Sequence, residues 1–476
     1  MSSFGHESIE DALASAGFDE QQRKAIYFGN WLRDYSQLID PKLVRAPDAP
    51  KDFPSRLSRE VLTEVADLLA LKAFHTLQDT EEGRRTYTVV PEMLGVYRPS
   101  EHIDNPANLD ANPVDPRTLD PDFEPLVRPG DPRLGVDPDS SMKHYIKDSV
   151  TYMRNKLIDA MQEGPNPTGM RCFGEALHVL EDFFAHSNYV ELTLRKAGHL
   201  HVLPWTTQAP CRHGLPVVTG LFSGSDVLAS VAEPLAKALF PVNGIEFTPT
   251  QPGERSDAEQ MLLILLKEHE DPQWLELLMT SLQVRDGAAG TPAYLAAEAI
   301  SWALSTPLKA IDYVKNLVLQ ASLKLIGDSV DDLQTWAGND PNVDAGTEPT
   351  HSQLAKDHDN HPFHDLASHL ARYAVEEVGR SMYDYWAGNK DRDPVTLADS
   401  YIRHPNDSDW QDDIVAAWAI THVQEIVSGS SYSTLQELNE ANRKAALERL
   451  RELEAENAGS LSSIQDSVNN IFPSFG

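Results

Sequence analysis

Apolar residues recur every three to four positions along most of the chain, and period-two alternation is rare, a pattern that predicts helices rather than sheets. The clearest run is 173–194, FGEALHVLEDFFAHSNYVELTL, where Leu177, Leu180, Phe184 and Val190 keep helical spacing and the one glycine, Gly174, stands near the start. Upstream, the pattern predicts a helix from Arg23 to Ile39, with Trp31, Leu32 and Tyr35 on one side, and another over 58–78. Further helices are expected over 141–163, as a pair over 256–285 split near Asp271-Pro272, and over 366–386 and 409–428. The terminal stretch ELNEANRKAALERLRELEAENA has opposite charges four residues apart and reads as a solvent-facing or partner helix.

Three stretches depart from that pattern. Residues 88–140 carry a proline every few positions, from Pro91 to Pro138, and predict a long irregular excursion that breaks regular elements. VVTGLFSGSD (217–226) reads as a short extended stretch or hairpin leading into a helix, and matches no phosphate-loop or dinucleotide fingerprint. Residues 294–333 are apolar with Lys309, Lys315 and Lys324 set against Asp312. They read either as a core helix kinked at Pro307 or as an amphipathic segment that touches membrane. The fold class expected is all-α, one multi-helix domain over 1–430 followed by a charged helix and tail over 431–476.

The candidate chemistry sits on the clearest helix. His178, Asp182 and His186 lie at i, i+4 and i+8, within about 80° of arc, and the outer two are roughly 12 Å apart along the axis. Asp182, midway, can offer one oxygen in each direction, which points to a carboxylate bridging two metals about 3.5–4 Å apart. A hydrogen-bonded polar core is the alternative, since burying such groups unpaired costs several kcal/mol. Asp34 lies amid an apolar face and needs either a metal or a cation such as neighbouring Arg33. His102 and Asp104 fall on the proline-rich loop, the kind of loop that wraps back over a site. His351, Asp357, His358, His361, His364, Asp365 and His369 crowd one downstream stretch, a second metal-like signal. His144 and Asp148 read as a surface pair.

The net charge of −33 repels phosphate backbones and anionic lipid alike, so nucleic acid is not an expected partner, although bound divalent ions would reverse the sign locally. The polar start MSSFGHESIEDAL does not read as a signal peptide, and no run of about 18 apolar residues is present. The expectation is a protein made in the cytosol, reaching any outside target by a non-classical route. Cys172 and Cys211 are too few for a disulfide framework and are expected as free thiols, with a single bridge as the alternative.

FGHESIED (4–11), FGNWLRDYSQ (28–37), GVYRPSEHIDNP (95–106), LHVLEDFFAHSNYVEL (177–192), VVTGLFSGSD (217–226) and THSQLAKDH (350–358) together resemble the HET-C family of fungal heterokaryon incompatibility. The chain lacks the glycine-rich tail of the fungal members and is compact, like a bacterial relative. That family in turn resembles the α-helical zinc-dependent phospholipases C and single-strand nucleases. The resemblance implies a cell-death or toxin protein with a cluster of two or three divalent ions, zinc by analogy, and membrane phospholipid as substrate. An immunity or regulatory protein is the further partner it implies. It implies Asp34, His102, His178 and Asp182 on one ion, with Asp34 also the general base. His186 and His351, with Asp357 or Glu191, would hold a second, and His6 with Asp182 a third. The pattern differs from the enzymes in two respects: their last helix histidine stands five residues past the Asp rather than three, and their processed N-terminal Trp amine has no counterpart in MSSFGH. A non-enzymatic membrane-perturbing protein with a structural metal cluster, and a nuclease of the same superfamily, are the other readings.

Overall fold

A computed structural model describes residues 5–52, 56–108, 113–221, 253–255, 257–288 and 340–442, with 444, 445 and 448. The helices are α1 (His6–Glu10), α2 (Leu13–Ala16), α3 (Glu20–Ser36), α4 (Arg59–Ala73), α5 (Glu81–Tyr87), α6 (Pro91–Leu94), α7 (Ile146–Glu163), α8 (Pro167–His186) and α9 (Tyr189–Lys196). Downstream lie α10 (Asp257–Leu265), α11 (Gln273–Ala288), α12 (His351–Leu354), α13 (His364–Trp386), α14 (Pro394–Tyr401), α15 (Asp412–Thr421) and α16 (Val423–Ser428). Among the described residues the only strands are β1 (Val136–Asp137) and β2 (Met142–Lys143), paired antiparallel. The chain is therefore mostly helical, as its periodicity predicts.

The core is built around α8. Asn166 caps its start, accepting from the Gly169 N–H, and Pro167 occupies the first turn, where its missing N–H costs nothing. From Gly169 to Ala185 the helix is buried on nearly every side by α3, α7 and α13. Helix α3 starts at a capping box in which Asp19 and Gln22 satisfy each other's backbone N–H groups, three residues ahead of where periodicity alone placed it. The two helices meet backbone to backbone. A Cβ on Gly174 would stand 1.8 Å from the Ile26 carbonyl oxygen, and one on Gly29 would stand 2.0 Å from that of Arg171. Only glycine permits this approach, and it brings Asn30 to His178.

The run read as a single helix over 173–194 is two, α8 and α9, divided at Ser187 and Asn188. There the side chains compete with the helix. Ser187 Oγ donates to the Phe183 carbonyl, Asn188 Oδ1 accepts the Val218 N–H, and Asn188 Nδ2 donates to Pro204 and Pro216. The expected helix over 409–428 also breaks, at His422, whose ring stacks on Trp418 at 4.4 Å and meets its carbonyl. The helical pair over 257–288 does divide just before Pro272, as expected. The proline-rich stretch is irregular but not featureless: Pro91, Pro99, Pro116 and Pro132 each open a helical turn, and Asp115 and Asp131 cap the last two. Its inner part folds back into the core, where His102, Ile103 and Asp104 are each no more than 2% exposed. Leu221 bridges in parallel to both Asn105 and Thr350, and Thr219 pairs with Ser187, so four distant segments meet at the end of α8. No helix among the described residues is long and apolar enough to cross a membrane. The expected amphipathic segment 294–333, the helix after 217–226 and the tail beyond 448 lie outside the described residues.

Candidate metal centre

Helix α8 presents His178, Asp182 and His186 along one edge, and two groups of ligand-type side chains assemble on it: His6, His178 and Asp182, and His186, His351 and Asp357. Asp182 links them. Its Oδ2 lies 3.0 Å from His178 Nε2 and 3.8 Å from His102 Nδ1, while its Oδ1 lies 3.6 Å from His6 Nε2 and 3.5 Å from His186 Nδ1. Ligand atoms around a tetrahedral zinc, bonded at about 2.0–2.1 Å, stand roughly 3.3 Å apart. The observed spacings bracket that value.

In the first group the proton positions are fixed by the surroundings. Asn30 Nδ2 donates to Glu181 Oε2 at 3.1 Å, so Asn30 Oδ1 faces His178 Nδ1 at 2.9 Å and must accept its proton. His178 Nε2 then turns a lone pair inward. Ser36 Oγ donates to the Arg33 carbonyl, so its own lone pairs receive His102 Nε2–H at 3.3 Å. Gln37 Nε2 stands 3.4 Å from His102 Nδ1, as a donor facing a lone pair. His178 Nε2 and His102 Nδ1 are 3.0 Å apart, beside a carboxylate oxygen. With both rings neutral, two imidazole nitrogens and a carboxylate oxygen converge there, a donor set that a divalent cation fits. His6 is held by Glu181 Oε2, 2.5 Å from its Nδ1, and its Nε2 looks toward Asp34 Oδ1 at 3.7 Å as well as toward Asp182.

The second group spans a longer sequence separation. His186 Nε2 is 3.0 Å from both oxygens of Asp357, and its ring centre is 4.2 Å from that of His351. His351 Nδ1 meets Asp104 Oδ1 at 3.2 Å, and Tyr97 donates to the other oxygen of Asp104. Asp182 Oδ1 and His186 Nδ1 face each other at 3.5 Å, and both are buried atoms with no hydrogen-bond partner. Orphaned polar atoms of this kind need an explanation, and an ion between them supplies one. The residues present therefore fit divalent ions.

The electrostatics of the two groups differ from residue to residue. Burial opposes ionisation of Asp182, yet His178 and His186 hold its carboxyl well below the ordinary range, and His186 does the same for Asp357 against the same opposition. Burial, then the adjacent His178, pushes His102 well below the usual imidazole value, favouring the neutral form that binds metal. Burial acts the same way on His6, but Asp34, Glu181 and Asp182 outweigh it and hold His6 well above the usual value.

Of the residues implicated from sequence, His6, Asp34, His102, His178 and Asp182 gather in one place and His186, His351 and Asp357 beside it. Glu191, offered as an alternative to Asp357, stands in neither group; its Oε1 is 3.1 Å from the Lys356 ammonium. Arg33 does not pair with Asp34 but with Glu101 and the carbonyls of Met93 and Leu94. The rest of the histidine-rich stretch points elsewhere: His364 meets the Lys356 carbonyl, His361 accepts the Phe363 N–H, and Asp365 lies 3.6 Å from His369 and accepts from Trp418 Nε1. His144 Nδ1 lies 4.0 Å from an Asp137 oxygen. Cys172 and Cys211 are free. Sequence reasoning missed Asn30, Glu181 and Lys356; the only signal for the first two was a polar residue on an otherwise apolar helix face, and Lys356, in the irregular stretch after α12, gave none.

Compared with known proteins, residues 2–239 match the family model for heterokaryon incompatibility protein Het-C. Neither the curated proteins nor the solved structures gave a match. The matched residues make up half of the chain and include every member of the first group, together with His186 of the second. The chain belongs to the heterokaryon incompatibility protein Het-C family.

Proposed function

We propose that this Het-C chain is a divalent-metal phosphodiesterase of the phospholipase C type, acting on membrane phospholipid in a cell-death role. The observation that carries the reading is the convergence of His178 Nε2, His102 Nδ1 and Asp182 Oδ2, each within 3.8 Å of the others, next to a second histidine–carboxylate group. Zinc in such a centre supplies a Lewis acid and a water that ionises near neutral pH. The chain's own residues do the rest. Asp34 is the rim carboxylate: its side chain is 30% exposed, against 1% for Asp182, so a substrate reaches it first. Its carboxylate takes the proton of the attacking water, and Glu181 keeps the His6 ring turned toward it. In a chain of net charge −33 the cationic centre is also what would draw in an anionic phosphodiester.

One feature favours a second reading. His102, His178 and Asp182 are no more than 2% exposed, as in closed structural metal sites. A membrane-perturbing protein with a structural cluster would leak vesicles without cleaving lipid.

The test uses protein stripped by chelator and reloaded with zinc, measuring bound ion and release of phosphorylated head groups from phosphatidylcholine vesicles. Wild type is expected to bind ion and release head group. Asp34→Asn should retain ion and lose about 10²–10⁴-fold in rate. Leakage with no head-group release favours the structural cluster, and wild type that holds no ion sinks both readings.

A further inference from the structure

One fully buried charge takes no part in that chemistry. Lys356 is 0% exposed, and Glu191, its partner, is 1% exposed. The Lys356 ammonium lies 3.1 Å from Glu191 Oε1 and donates to the carbonyls of Ser187 at 2.9 Å and Leu354 at 2.7 Å. Its backbone N–H bonds the Ala185 carbonyl. The cation thus sits between the Ser187 carbonyl at the C-terminal end of α8 and the Leu354 carbonyl that ends α12, a place where the helix dipole favours positive charge. Burying an ion pair is a poor source of stability, and apolar side chains of similar volume would serve a core equally well. What the pair does provide is register. The next residue, Asp357, meets His186 on the last turn of that same helix. Upstream, His351 is set by backbone pairing: its N–H bonds the Leu221 carbonyl at 2.8 Å, and a Cβ on Gly220 would come within 2.4 Å of its Cα. The limb is thus fixed at two points, and Lys356 is the one beside Asp357.

We propose that Lys356 and Glu191 are positioning residues that dock the downstream limb, 349–357, and so complete the second metal group without serving the first. The inference rests on the metal reading above. Neither side chain touches a residue of the first group in any contact observed here, whereas Lys356 adjoins a residue of the second directly.

The experiment titrates chelator-stripped, full-length protein with cobalt, following the visible bands that report histidine coordination, with thermal unfolding as the folding control. His186→Ala defines the signal of the second group. Glu191→Gln and Lys356→Met should each weaken that signal about 10–100-fold, the usual cost of losing an outer partner, and leave the first group's band in place. Should either single variant fail to fold for want of its partner charge, the double variant Lys356→Met/Glu191→Leu removes both charges. It is expected to unfold no earlier than wild type and still lack the second signal. Wild-type cobalt affinity at both groups in a folded double variant overturns the positioning role while leaving the metal reading intact. Wild type that binds no cobalt overturns both.

Discussion

The two groups on α8 differ in how they are made. The first draws every member from residues 6–182, is enclosed by the core, and has its imidazoles held by amide and hydroxyl side chains of α3 and by Glu181. The second takes one histidine from α8 and the rest from residues 351–357, beyond the part of the chain that matches the family model, and Asp357 is 36% exposed. A centre pre-built inside one packed unit stands beside one completed by a docking limb. The enclosed group should bind first and release last, because its ligands pay little ordering entropy, and the open group should set access.

The most damaging change is expected at the residue the two share. Asp182→Ala removes Oδ2 from the first group and the Oδ1 that faces His186. Both classes of ion should be lost, beyond the ~100-fold that loss of an outer partner costs. Stoichiometry by equilibrium dialysis reads this directly. Retention of one full equivalent would mean that Asp182 does not bridge, and the groups would then be separate sites on one helix.

Asn30 tests the enclosed group alone. Asn30→Leu leaves His178 Nδ1 without its acceptor and Glu181 with His6 alone of its two observed partners, so the His178 ring loses its fixed tautomer. First-group affinity should fall about 10–100-fold with the second group unaffected. Asn30→Asp keeps the acceptor and should recover part of the loss, although it faces Glu181. Equal weakening of both groups by Asn30→Leu would erase the proposed division.

What the sequence disclosed follows the same division. A helix read over 173–194, and its three ligand-type residues, were visible because apolar spacing fixes the helix and the helix fixes their common edge. Gathering His6, Asp34, His102, His351 and Asp357 around it required family resemblance, since spacing says nothing about which loop returns to which helix. Asn30 and Glu181 were not legible: each is one polar residue on a buried face, and only the Gly29–Gly174 approach of two backbones shows what it meets. The pairing of Glu191 with a lysine was hidden for a related reason. A carboxylate near a histidine motif looks like a ligand until a buried lysine from 165 residues downstream is seen against it. The break at Ser187 was hidden as well, because the apolar rhythm continues across it while the polar side chains capture the backbone.

The smallest effect is expected from a histidine pair outside both groups, which shows what stacked imidazoles look like without a metal. His213 and His404 stack at 4.3 Å, but here each ring nitrogen observed in contact has a protein partner: His213 Nε2 meets Asp407, His404 Nε2 donates to the Leu215 carbonyl, and His404 Nδ1 accepts the Asn406 N–H. Burial, and secondarily the stacked His213, lowers His404 from 6.5 to about 4, against the pull of the Leu215 carbonyl. The folded protein therefore binds fewer protons here than the unfolded chain between those values. Stability from this residue is whole above about pH 6.5 and is lost as pH falls toward about 4, with roughly 1 kcal/mol gone by about pH 5.5. Urea unfolding at pH 7 and 5.5 should show that decrement equally in zinc-loaded and chelator-stripped protein, and His404→Gln should abolish it. The metal groups lose stability in acid too, but their ions compete with protons, so their acid sensitivity should change on loading. A decrement at His404 that grows or vanishes with zinc would place this pair in the same linked system as the centre on α8, and the contrast between metal-type and packing-type histidines would fail.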